Sequence, residues 1–228
     1  MNIINANKVV KSFPVAGDSL TVLKGIDIDI PKSALTILKG RSGSGKTTLL
    51  NILSALDRPD SGEVIFDGIN ICTQSDTERE KLRRHSIGFI FQSVALIPIM
   101  NAYENVDFGL RLAGVKEDRD KRIREVLGFV GLSDRMTHMP GQMSGGEQQR
   151  VAIARALAHN PKVVFADEPT GALDTAAGMN VMELFRRLVR EQGITIVMTT
   201  HDPNLMELGD LVYEIEDGEV IGKYESTD

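Results

Sequence analysis

One cysteine, Cys72, and no tryptophan occur in the 228 residues of the chain. A lone thiol excludes an internal disulfide, a thiolate zinc cage and a CxxC redox pair, and it fits a reducing, cytoplasmic setting. Basic residues are also in short supply: 26 Lys and Arg against 32 Asp and Glu leave a net charge of −6. Neutralising phosphates along a nucleic acid takes a surplus of cations, so no nucleic-acid partner is expected. Runs of about 18 apolar residues, the length a membrane-spanning helix needs, are missing as well. Met1 to Pro14 lacks the charged-then-apolar layout of a signal peptide. Work at a membrane would therefore require another chain to hold this one there. What is present is an ordinary globular composition, 42% hydrophobic and 25% charged.

The opening third carries strand signals. Ile26, Ile28 and Ile30 alternate with Asp27 and Asp29, the period of a strand with one buried and one wet face, which predicts antiparallel pairing. The apolar run Ala34 to Leu38, the Gly-rich turn Gly40 to Gly45 and the apolar-striped stretch Lys46 to Leu56 predict strand, loop and helix in succession. From Thr73 the chain becomes charged, with helices expected over Glu78 to Arg84 and Val115 to Phe129, interrupted by the apolar stretch Val94 to Met100. Further on, Val163 to Ala166 and Thr195 to Thr200 read as buried parallel strands joined by a crossover helix over Ala176 to Arg190. Asp217 and Gly218 form a type I′ hairpin signal. The expected fold is α/β, with a mostly parallel core sheet, an antiparallel β-subdomain and an inserted α-helical subdomain. Residues 1–72 and 141–228 would form the core and β-subdomain, and 73–140 the helical insert.

Gly40, Arg41, Ser42, Gly43, Ser44, Gly45, Lys46 and Thr47 match G-x-x-x-x-G-K-[ST] between a predicted strand and a predicted helix, the context of a P-loop. Glycines let consecutive backbone N–H groups wrap phosphate oxygens, the helix N-terminus adds its positive dipole end, and Lys46 reaches the β- and γ-phosphates. The Thr47 hydroxyl is the expected Mg²⁺ ligand, with Thr48 beside it. A second acidic group for the metal is expected at the carboxyl end of a neighbouring strand, and Val163 to Ala166 run into Asp167. Glu168 follows, placed to polarise water for in-line attack on the γ-phosphate. A kinase, a small GTPase, a helicase and a transport ATPase all remain compatible with these residues.

Met143, Ser144, Gly145, Gly146, Glu147, Gln148, Gln149 and Arg150 resemble the signature sequence of ABC ATPases, usually Leu-Ser-Gly-Gly-Gln, with Met143 and Glu147 as conservative departures. Ser144 and the two glycines open a helix expected over Glu147 to Ala158, a second amide-and-dipole anion site. The resemblance extends over nearly the whole chain. Gln92, after the predicted strand Ile87 to Phe91, is similar to the Q-loop glutamine; Gly171, Ala172, Leu173 and Asp174 resemble the D-loop; His201 resembles the switch histidine. Phe13 occupies the place of the adenine-stacking aromatic, more often Tyr, so stacking is retained without a phenolic hydrogen bond.

The resemblance implies ATP and Mg²⁺ as ligands and an isologous homodimer in the ATP-bound state. Ser144, Gly145 and Gly146 of one chain would bind the γ-phosphate of ATP held by Lys46 and Thr47 of the other. In that scheme Glu168 acts as base and His201 orients water. Gln92 joins Thr47 and Asp167 at the metal and reports its state to the helical subdomain. Within the family, Ser93 to Met100 with Ala102, Glu104, Asn105 and Val106, together with Asn51 to Leu53 and Arg111 to Val115, resembles the branch of macrolide exporters, lipoprotein-releasing systems and antimicrobial-peptide exporters. That branch implies a separate permease with few spans and a large extracytoplasmic domain. This permease would dock near Gln92 to Met100 and hold the chain on the inner face of the cell membrane. A soluble ABC ATPase acting on a ribosome or nucleic acid is the alternative, and a regulatory subunit with little turnover a third.

Overall fold

The computed structural model describes residues 1–15 and 17–225, so Ala16 and the last three residues of the expected 141–228 span lie outside the description. Two sheets carry the chain. The first is antiparallel, in the order β2-β1-β4-β5, formed by β1 (Asn2–Val15), β2 (Asp18–Pro31), β4 (Ser61–Phe66) and β5 (Ile69–Asn70). Ile26, Ile28 and Ile30 are buried and the intervening aspartates exposed, so the alternation read from the sequence is the alternation in space.

The second sheet is six-stranded, in the order β10-β9-β3-β8-β7-β6, from β3 (Leu35–Lys39), β6 (Ile87–Ile90), β7 (Val163–Ala166), β8 (Thr195–Thr200), β9 (Leu211–Glu216) and β10 (Glu219–Glu225). Every neighbouring pair is parallel except β9 and β10, the edge hairpin. Its turn uses Asp217 (φ 48°) and Gly218 (φ 80°), the two positive φ values that a type I′ turn requires. β6 belongs to this core sheet. The segment 73–140 is therefore not a purely helical insert, because residues 87–90 form an edge strand paired with β7.

Helix α1 (Lys46–Leu53) lies in one core between the two sheets, its Leu49, Leu50 and Leu53 packed with Ile4, Val9, Phe66, Leu38 and Phe165. The opposite face of the six-stranded sheet is covered by α3 (Ala102–Leu112), α4 (Arg119–Phe129), α5 (Gly145–Leu157) and α6 (Thr175–Gln192), which share a second core with Ile37, Val164, Ile196 and Met198. α2 (Asp76–Ser86) begins at a capping box between Ser75 and Glu78 and leads directly into β6.

Three departures among the helices have a visible reason. α1 stops at Leu53 instead of Leu56 because Ala55 turns left-handed (φ 59°) and its carbonyl accepts hydrogen bonds from Arg79 and Arg83 of α2. α4 starts at Arg119 instead of Val115 because Gly114 (φ 79°) and Asp118 (φ 52°) break the backbone, with Arg119 bonded to the Val115 carbonyl and to Asp107. α3 stands where no helix was expected, started by a reciprocal capping box of Asn101 and Glu104.

A candidate nucleotide site at the carboxyl ends of the parallel strands

The loop between β3 and α1 leaves the sheet at the carboxyl ends of the parallel strands, where α/β sheets bind ligands. Its glycines are there for space and for backbone conformation. A Cβ on Gly40 would collide with the Ile215 carbonyl, and Gly45, the N-cap of α1, takes φ 100° with Leu23 and Val22 packed against it. The hairpin β9–β10 braces the loop through the Gly218 N–H, which donates to the Ser44 carbonyl at 3.2 Å.

Lys46 is 4% exposed, and its ammonium donates to the carbonyls of Gly40 and Arg41, each at 2.8 Å. Burial pulls its pKa down, while the nearby Glu168 and Asp167 carboxylates push it back up. The Ser44 hydroxyl is buried with no hydrogen-bond partner. An orphan hydroxyl, a buried ammonium and a helix N-terminus in one loop form a cradle that an anion with several oxygens completes, so the residues fit a polyphosphate.

Beside the loop, Asp167 and Glu168 follow β7. The Asp167 carboxylate accepts from the Thr47 hydroxyl at 3.1 Å and from the Thr199 hydroxyl at 2.7 Å. These hard oxygen donors suit Mg²⁺, which keeps waters and phosphate oxygens in its remaining positions. Among the described residues no cluster of three His, Cys, Asp or Glu forms a protein-only metal cage. Glu168 has φ 43°, a sparsely populated conformation for a residue with a side chain. Its N–H donates to the Thr199 hydroxyl at 2.9 Å, and its carbonyl accepts from Gly171 at 3.0 Å. Its carboxylate receives Gln92 Nε2 at 3.2 Å on one oxygen and stands 3.3 Å from His201 Nδ1 on the other. Thr199, on β8, was not singled out from the sequence, because its fully buried place beside Asp167 follows from β8 pairing with β7 and no local string marks it.

A cleft of about 460 Å³ is lined by Phe13, Val22, Ser42, Gly43, Gly45, Lys46, Thr47, Thr48, Gln92 and Glu168. Phe13 is 38% exposed there, with Lys11 Nζ 5.3 Å from its ring centroid. A larger cleft of about 740 Å³ opens on the other side of the loop, past Gly40, Ser42, Glu168 and His201. The smaller one is lined by Lys46, Thr47 and the loop glycines Gly43 and Gly45, so chemistry and not volume makes it the candidate nucleotide pocket.

The remaining expected residues stand elsewhere. Ser144 caps α5, its hydroxyl accepting from the Glu147 N–H at 3.3 Å while Glu147 accepts from the Ser144 N–H at 2.8 Å. That backbone bond and Arg135, 3.2 Å away, hold the Glu147 carboxyl below its ordinary pKa. Asp174 caps α6 through the Ala177 N–H at 2.8 Å. Gly145 and Gly146 face Leu173 and Ala177, so the first turns of α5 and α6 lie side by side. Neither group lines the cleft that Lys46 lines.

A parallel sheet with a phosphate loop at its carboxyl edge, a hydroxyl–carboxylate pair beside it and a second glutamate held by Gln92 and His201 define a P-loop nucleoside triphosphatase. Residues 23–171 match the family described as ABC transporter, and the chain belongs to that family as an ATP-binding, ATP-hydrolysing subunit. It is 44% identical over 222 residues to an uncharacterized ABC transporter ATP-binding protein of Methanocaldococcus jannaschii, covering 95% of this chain and 94% of that one. It is 45% identical over 223 residues to a lipoprotein-releasing system ATP-binding protein of Rhodopirellula baltica, covering 95% and 88%. A macrolide export ATP-binding/permease protein of Wolinella succinogenes is 44% identical over 224 residues, 98% of this chain but 35% of that longer protein. Among solved structures, a dimeric post-hydrolysis ATP-binding cassette bound to ADP and Pi superimposes with a TM-score of 0.87 at 40% identity, covering 97% of this chain and 98% of that one.

Proposed function

We propose that two copies of this chain close around two ATP and drive a separate membrane permease of the exporter or mechanotransmission kind. The observation that carries the chemistry is the pair of contacts on Glu168, Gln92 on one carboxylate oxygen and His201 near the other, next to the Asp167–Thr47 pair. The backbone N–H groups of the Gly40–Thr47 loop and the Lys46 ammonium bind the β- and γ-phosphates, Lys46 exchanging carbonyl partners for phosphate oxygens. The Phe13 ring stacks on the base. Thr47 and Asp167, with Gln92, would hold Mg²⁺, which supplies charge neutralisation at the phosphate oxygens. Glu168 accepts the proton of the attacking water, and His201 orients that water against the γ-phosphate. Ser144, Gly145, Gly146 and Asp174 act on the ATP of the other chain, which agrees with their place outside this chain's own cleft. The dimeric state of the similar cassette supports the two-chain arrangement.

Among the described residues no helix is long and apolar enough to cross a membrane. In the proposed arrangement the permease is a separate chain and the ATPase sits peripherally on the cytoplasmic face. The exposed Ile99, with Val94 to Met100 around it, is the proposed docking patch beside Gln92. The named relatives in macrolide export and lipoprotein release support the branch. The proposed division is a core and β-subdomain of residues 1–72 and 141–228 and a helical subdomain of residues 73–140. The test is affinity capture of the tagged chain from detergent-solubilised membranes and from cytosol. Recovery of one membrane protein with few spans and a large external domain is expected. Recovery of ribosomal or DNA-bound factors with no membrane protein would overturn the transport reading and leave the ATPase chemistry standing.

A further inference from the structure

We infer that Arg155, on α5, is the strut that couples the Gln92 loop of one ATP site to the signature turn serving the other. The loop leaves β6 at Phe91 and runs exposed past Gln92 and Ser93 to Ala95. Ala95 adopts φ 49°, a left-handed conformation that a residue with a Cβ enters at a cost. Its carbonyl accepts from Arg155 Nη1 at 2.7 Å, and the Val94 carbonyl lies 3.5 Å from Nη2. Beyond this point the loop is pinned differently. The buried Asn105 of α3 accepts from the Ile97 N–H at 2.8 Å and donates to the Met100 carbonyl at 2.8 Å. The far half of the loop thus belongs to α3, the middle is tied to α5 by one side chain, and only the near half with Gln92 is free to follow Glu168.

Three features show that Arg155 is built in. No carboxylate among the described residues lies within salt-bridge distance of it, and burial, unrelieved by a counter-charge, holds its pKa below the ordinary arginine value. Its partners are backbone carbonyls alone, a use of the guanidinium as a geometric clamp rather than an ion-pair member. Gly109 of α3 leaves room for its stem, since a Cβ there would stand 2.9 Å from Arg155 Cγ. Arg155 and Ser144 are eleven positions apart along α5 and its cap, about 16 Å of rigid helix at 1.5 Å per residue. A displacement of the Gln92 loop pulls on one end of this rod, and the Ser144–Gly146 turn sits at the other.

This inference rests on the two-chain reading above, and it makes Arg155 a positioning residue, remote from the reacting atoms. Removing the tie should leave ATP binding to a single chain intact and uncouple the two sites. The experiment is the ATP-concentration dependence of hydrolysis for the full chain and for Arg155→Lys, Arg155→Ala and Ala95→Pro, with ATP affinity measured on dilute monomer. Ala95→Pro forbids the positive φ and redirects the carbonyl from an exposed loop, so it reports on the tie even where Arg155→Ala fails to fold. The native chain should show a Hill coefficient approaching about two, the number of sites. Arg155→Ala and Ala95→Pro should fall toward about one, with the maximal rate reduced about tenfold and monomer affinity within about twofold. Arg155→Lys, which still reaches the Ala95 carbonyl, should lie between. Folded Ala95→Pro and Arg155→Ala proteins with the native Hill coefficient would overturn the inference. A native chain that hydrolyses without cooperativity as a monomer would overturn the two-chain reading, and the strut with it.

Discussion

The P-loop cleft and the paired first turns of α5 and α6 are both built from helix N-termini, yet they are finished to different degrees. In the cleft, groups from β3, α1, β7, β8 and the Gln92 loop converge, and several are left needing a ligand: Lys46 is buried on two carbonyls, and the Ser44 hydroxyl has no partner. At the other region, Ser144 and Asp174 are absorbed in caps, and Glu147 already supplies negative charge to the α5 terminus. The first region is a site within one chain. The second has its caps satisfied and lies outside that cleft, and in the proposed two-chain arrangement it would meet the ATP held by another chain.

The sharpest way to stress this contrast is to remove chemistry from the P-loop cleft only. Glu168→Gln should reduce steady-state turnover by at least about a hundredfold, as loss of a general base does, while nucleotide binding by the single chain stays near native. Hydrolysis at the native rate would remove Glu168 from its role. Next in size, Lys46→Ala should weaken ATP binding about a hundredfold, because the triphosphate loses its buried cation, while the Ser144 turn keeps its caps. Isothermal titration decides this one. Phe13→Ala should cost a smaller amount, about tenfold in ATP affinity with little effect on inorganic triphosphate, since only base stacking is lost.

The smallest effect is one of pH, and its sign separates the empty from the loaded cleft. The folded-state pKa of Lys46 lies below its unfolded value, chiefly through burial. The charged ammonium therefore subtracts stability below the folded pKa, and that penalty is relieved as the pH rises from the folded toward the unfolded pKa. ATP affinity should move the other way and decline at alkaline pH before an ordinary lysine would deprotonate. Thermal melts and ATP titrations over the same alkaline series should diverge; parallel changes would mean that Lys46 is not the group being read.

The two regions were also unequally legible in the sequence. The loop Gly40–Thr47 and the Val163–Asp167 strand end are contiguous strings whose chemistry follows from order alone, and both occur where the pattern puts them. Thr199 was missed because its value depends on β8 lying next to β7, a fact of sheet order and not of any local string. The left-handed backbone of Glu168 is likewise invisible until Thr199 and Gly171 are seen to hold it. The capping boxes Ser75–Glu78 and Asn101–Glu104 were present as short strings, and reading the second would have found α3. The early end of α1 could not be read locally, because it depends on Arg79 and Arg83, which lie more than twenty residues away along the chain. β6 inside the charged middle segment is a four-residue apolar run too short to announce which sheet receives it.

The central claim is that the Ser144 turn is half of a site. Its most direct test is the solution mass of the 25.0 kDa chain carrying Glu168→Gln, measured by light scattering with ATP and Mg²⁺, with ADP and without nucleotide. The account predicts a doubling of mass in ATP alone and its loss when Ser144→Arg is added, with ATP still bound by the monomer. A Glu168→Gln protein that binds ATP and remains a monomer, or a double variant that still dimerises, would contradict it.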